Sequence, residues 1–167
     1  MSNQFLILLL ICVAGITGCE SVSRFPIDDP ARIKVDNRLL GKWELKADTG
    51  VGNYFIVSKK DDFRYNATYM SNGGSKPQYD NYEMFLSRIQ NERFLNIACD
   101  NGPTRGYFFM KLISIDDADK GWVAVKVEDT MLKYMNRPTE VKNRIAANMN
   151  NAAYFPDTTY FVRSGRP

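Results

Sequence analysis

From Trp43 onward the chain is a succession of short segments rich in Tyr, Phe and Val, each ended within eight to twelve positions by turn-making residues. That rhythm suits strands joined by hairpins. It predicts strands near 42–48, 53–59, 63–71, 79–89, 93–99, 106–115, 121–127 and 130–135, with a last one at 158–163. The breaks between them, Thr49 to Gly52, Lys60 to Asp62, Asn72 to Gly74, Asn101 to Pro103 and Asp116 to Gly121, supply residues that tolerate positive φ or start turns. One segment departs from the pattern. Val141, Ile145 and Met149 stand four apart behind Pro138, with Thr139 as the expected N-cap and Glu140 in the first turn, which predicts an amphipathic helix. A meander of eight or nine strands has bare edges unless it closes. The expected fold is therefore all-β, an antiparallel up-and-down barrel with one C-terminal helix.

The chain has 167 residues, 44% hydrophobic and 13% aromatic, which is one domain's worth with ample material for a core. It contains no histidine. That removes Ser-His-Asp triads, Cys-His pairs and the usual zinc sites, and leaves carboxylates, Lys, Tyr, Ser and Cys to carry any chemistry. No enzyme activity, cofactor or metal is expected. The net charge of +3 is too mild, and too scattered, for a nucleic-acid partner.

Phe5 to Ile16 reads FLILLLICVAGI, twelve apolar residues, too short to span a membrane as a helix of roughly 20 and suited to the apolar region of a signal peptide. Ile16-Thr17-Gly18-Cys19 follows it and resembles the bacterial lipobox, although Met1 to Gln4 brings no Lys or Arg ahead of the run. The resemblance implies a signal peptide over 1–18, cleavage before Cys19, and a diacylglyceryl group on the Cys19 thiol. Each acyl CH₂ buried in a bilayer contributes about 0.8 kcal/mol, so several chains hold a protein firmly. Glu20, where Asp would be the exception, resembles the outer-membrane sorting pattern. With Cys12 removed and Cys19 acylated, Cys99 has no disulfide partner and reads as a small buried hydrophobe. Residues 19–35, with Pro26, Pro30 and no apolar period, read as a flexible tether, and 36–167 as the barrel domain.

Val35-Asp36-Asn37-Arg38-Leu39-Leu40-Gly41-Lys42-Trp43 resembles the opening of lipocalins, a turn of helix followed by Gly-x-Trp on the first strand. Tyr160-Phe161-Val162-Arg163 supplies the matching arginine on the last strand. The resemblance implies that Trp43 and Arg163 stack to close one end of a lipocalin-like barrel, an aromatic face against a guanidinium. It further implies a small hydrophobic or amphipathic ligand in the open end.

Other features read more plainly as structure. Asp116-Asp117-Ala118-Asp119 lacks the bidentate Glu of a calcium loop and suits a solvated turn, as does Asp61-Asp62. Tyr54, Tyr65, Tyr69, Tyr79, Tyr82, Tyr107 and Tyr134 are spread over several strands, so some face the lumen, where they either pack or line a ligand site. The functional expectation is a membrane-anchored bacterial envelope lipoprotein that binds a small ligand. The alternative is an interaction or assembly lipoprotein with a filled barrel, whose loops bind an envelope protein.

Overall fold

The computed structural model describes residues 22–48, 52–71, 78–101, 104–116 and 121–164. Eight strands form one closed barrel in sequence order, every neighbour antiparallel and the last paired with the first. They are β1 (Gly41–Leu45), β2 (Tyr54–Lys59), β3 (Arg64–Ser71), β4 (Gln78–Ile89), β5 (Glu92–Asn101), β6 (Thr104–Ile115), β7 (Gly121–Lys126) and β8 (Thr158–Arg163). The helix α1 (Pro138–Ala147) lies in the connection from β7 to β8.

Alternation places one face of each strand inside. Trp43, Val57, Tyr65, Ala67, Met84, Leu86, Leu95, Ile97, Met110, Leu112, Trp122, Ala124 and Phe161 are buried together in a single cluster. On the outer face of β2 to β4, Ser58, Asn66, Asn81 and Glu83 stand in the solvent or at its edge beside an exposed Ile56, and Phe85 is buried. An apolar inside differs from the polar interior of a barrel that spans a membrane with its strands.

A second apolar cluster sits outside the wall. Val141 and Ile145 of α1 are fully buried with Phe94 of β5 and Phe109 of β6, and with Ile27, Val127, Leu132 and Tyr154. The helix starts one residue before the expected cap. Arg137 is its N-cap without a side-chain bond, Pro138 takes the first position, and the Glu140 carboxylate accepts from the Asn136 N–H. Proline suits that position because its missing N–H would have no partner there.

Two sequence expectations are corrected. Residues 130–135 are not a strand: Thr130–Tyr134 is a 3-10 turn, because the Asp129 carboxylate accepts from the Met131 N–H and only Leu132 is buried. The tether expected over 19–35 holds no length of loose chain from Val22 onward. Residues 22–35 form a strap that packs on the outer face of β4 to β6, with Ser23 and Ile27 buried, and then turns Ile33 and Val35 against the inner cluster. Residues 1–21, with the expected signal peptide and Cys19, lie outside the described residues, as do Asp117 to Lys120 of the acidic turn.

Candidate functional site

The strap is held by three sets of hydrogen bonds. Ser23 and Tyr107 exchange N–H···O bonds of 2.9 and 2.7 Å where β7 does not reach along β6. Gly106 makes that approach possible: a Cβ there would meet Val22 Cγ1 at 2.0 Å and the Ser23 carbonyl at 2.9 Å. Midway, the Asn96 Oδ1 accepts from the Ile27 N–H at 2.8 Å, while its Nδ2 donates to Ser87 Oγ at 2.8 Å and to the Phe85 carbonyl at 3.3 Å. Asn96 is wholly buried with its amide satisfied on both sides, which makes it a clasp between strap and wall. At the far end the Val35 N–H donates to the Asp62 carbonyl, and the strap turns into β1.

The structure brings Trp43 and Arg163 together at that end. They are register partners on β1 and β8, and the guanidinium carbon lies 4.5 Å from the Trp43 ring centroid. Gly41, at φ +131°, lies beneath the arginine, and a Cβ there would stand 2.6 Å from Arg163 Nη1. The Trp43 indole N–H donates to the Leu39 carbonyl at 2.8 Å. Beside it the Tyr65 hydroxyl accepts from the Asp36 N–H, and Asp36 is bridged by Arg38 at 2.7 Å and Arg93 at 2.8 Å. The Arg38 bond above all holds the Asp36 carboxyl down at about 2, whereas burial pushes the Tyr65 phenol up to about 12.

Above this floor a chain of rings lines the inner face of the wall. Trp43 meets Trp122 edge-on at 6.3 Å, Trp122 stacks on Phe161 at 3.6 Å, and Phe161 meets Phe55, which packs on Tyr69. The Trp122 indole N–H is buried with no acceptor among the described residues. Tyr82 also faces inward against Phe108, while Tyr107 lies outside against Phe85, and Tyr79 and Tyr134 are exposed. Cys99 is buried and forms no disulfide among the described residues. Among the described residues no group of three or more Cys, Asp or Glu is placed to hold a metal ion.

A groove of about 840 Å³ lies on the outer face rather than in the lumen. Its floor follows one register row across five strands, Ser58, Asn66, Glu83, Ala98 and Tyr107, and Arg24 of the strap forms a wall. Glu83 pairs with both Lys60 and Arg64, while Arg24 adds a further positive charge to the groove wall.

Residues 4–48 match the family of the spanin outer lipoprotein subunit of T7-like virus. The chain is similar to that subunit over the apolar leader, the Cys19 motif, the strap and β1. No curated protein and no solved structure matches the chain. Sequence reasoning missed the strap and its clasp, since a lone Asn96 on a strand that faces Ile27 from 69 positions away leaves no periodic signal.

Proposed function

We propose that this chain is an envelope lipoprotein, acylated on Cys19 and held at the outer membrane, whose filled barrel serves as a rigid module for binding an envelope protein. Its likeness to an outer spanin subunit carries this reading and suggests a role in phage lysis beside a partner in the inner membrane. The aromatic cluster on the inner face supports it, because Trp122 and Phe161, register partners on β7 and β8, stack at 3.6 Å and leave no gap for a guest between them. The lipocalin resemblance then extends to the closing Trp43–Arg163 pair and the barrel wall, and no catalytic step is assigned.

One observation favours the small-ligand reading: the Trp122 N–H, a donor buried in the lumen without an acceptor among the described residues. Titration with a fluorescent fatty acid separates the two. The partner reading expects no saturable binding, and a single saturable site competed by unlabelled lipid would replace it. Growth in radioactive palmitate tests the anchor. Wild type should carry label and sediment with the outer membrane, whereas Cys19→Ser should lose label and accumulate as precursor; label retained on the variant would remove the lipoprotein assignment.

A further inference from the structure

At the end of the barrel where Trp43 and Arg163 lie, the strap, β4 and α1 enclose a cleft of about 440 Å³. Arg32 and Lys34 of the strap, Arg88 of β4 and Lys142 of α1 line it, against one carboxylate, Asp28. Asp28 is already engaged, with both oxygens 2.9 Å from Lys142 Nζ. Arg32, Lys34 and Arg88 are exposed, and none is held in a salt bridge among the described residues. The nearest further acids are committed elsewhere. Asp29 caps the 3-10 turn at Pro30–Arg32, Asp62 is bridged to Lys59, and Asp36 is shared by Arg38 and Arg93.

Lys60 and Arg64 stand beside Glu83 and Lys126 beside Glu128, and Lys42 and Lys133 lie singly over aromatic rings, whereas the cleft gathers several cations in one concavity. Four cations line the cleft against Asp28, with the exposed Asp62 acting on Lys34 alone among them, so an excess of positive charge stays within a Debye length of about 8 Å and a matching anionic partner relieves the repulsion. We infer that this cleft is the docking site for an acidic polypeptide segment of the envelope partner.

The inference rests on the anchored reading above, which also selects protein over lipid. Cys19 stands three positions before Val22, and three residues reach at most about 11 Å. Val22 lies against Gly106, near the β5–β6 end of the barrel. The row Arg88–Arg93–Leu112 is five residues farther along β6 than the Ser23–Tyr107 bridge (112 − 107), roughly 17 Å at the rise of a strand. The turns flanking the cleft, 60–63 and 90–91, lie at that same remote end. The strap thus enters at one end of the barrel and carries its cations to the other, away from the anchoring lipid.

The test uses the full lipidated protein in neutral detergent, with fluorescein-labelled deca-glutamate as the probe and anisotropy as the readout. Wild type should bind it with an affinity that falls steeply with salt. Arg32→Gln, Lys34→Gln and Arg88→Gln combined should weaken binding by about tenfold or more. Lys46→Gln, Lys126→Gln and Lys133→Gln combined carry the same change in net charge at other places and should leave it nearly unchanged. Equal losses in the two triple variants would reduce the effect to net charge and overturn the proposal. So would binding of soluble dihexanoyl phosphatidylglycerol at the cleft with no binding of the peptide, which would make it a headgroup site. Unlabelled Cys19 would sink the anchored reading, while peptide affinity still reports on the cleft.

Discussion

Arg163 spans the gap between Gly41 and Trp43, its Nη1 occupying the place a glycine side chain would need and its guanidinium carbon 4.5 Å from the indole centroid. Removing the guanidinium by Arg163→Ala should destabilise the barrel by roughly 1 to 3 kcal/mol in urea unfolding, through lost packing and cation–π attraction. Gly41→Ala should also destabilise, because it adds a clash to a φ that L residues rarely adopt. The double variant should lose less than the sum, since the clash disappears with the arginine. Strict additivity would show that the two positions are independent.

The clasp at Asn96 yields a separate prediction. Asn96→Ala leaves the Ile27 N–H without its acceptor in a buried place, at a cost of about 1 to 3 kcal/mol. Opening should concentrate in residues 22–35, so limited proteolysis should cut there faster than in wild type. A variant with an unchanged cleavage pattern would mean that the apolar contacts of Ile27 alone hold the strap.

Acid should weaken the closed end. The Asp36 carboxyl sits near 2 in the fold, against 3.8 ordinarily, with the Arg38 bond as the chief cause. Its stabilisation is present above pH 4 and is lost as pH falls toward 2, and amounts to about 1 kcal/mol once solvent screening is allowed for. Asp36→Asn should flatten the acid limb of the stability profile between pH 4 and 2. An acid limb as steep as that of wild type would place the titration elsewhere.

Alkali acts through Tyr65, where the sign is opposite. Burial raises its phenol to about 12 from 10.0, so the unfolded chain releases the proton first and stability falls as pH rises between those values. Tyr65→Phe should lose part of this alkaline dependence, and should lose some stability at pH 7 because the Asp36 N–H no longer meets the hydroxyl. Stability curves that run parallel from pH 9 to 12 would contradict the assignment.

The strands were legible because their information is local. Tyr65 and Ala67 alternate with the polar Arg64, Asn66 and Thr68, Tyr, Phe and Val are dense along the other segments, and turn residues close each one. The pairing of Trp43 with Arg163 came from the lipocalin resemblance of the two end segments, and the closed barrel makes the two residues register partners on β1 and β8. Thr130 to Met135 misled because Met, Leu and Tyr recur there at strand-like density, while the deciding contact is the Asp129 carboxylate on a backbone N–H. The strap misled in the opposite way. Pro26, Pro30 and scattered charge read as loose chain, yet a buried Ile27, one distant amide and a missing Cβ at Gly106 suffice to hold it. The basic cleft is equally invisible in one dimension, being assembled from residues 32, 34, 88 and 142.

The course of the strap also determines how the molecule would bear a mechanical load. Because Ser23 pairs antiparallel with Tyr107 on β6, a tug on the N-terminal side along the strap loads these bonds in shear, sliding it past the wall instead of peeling it away. The pull passes from Ser23 to Asn96 and then to the Val35–Asp62 bond before it reaches β1. Strain would strip the strap in stages while the eight-stranded wall stayed closed, and each stage would lengthen the distance between lipid and barrel.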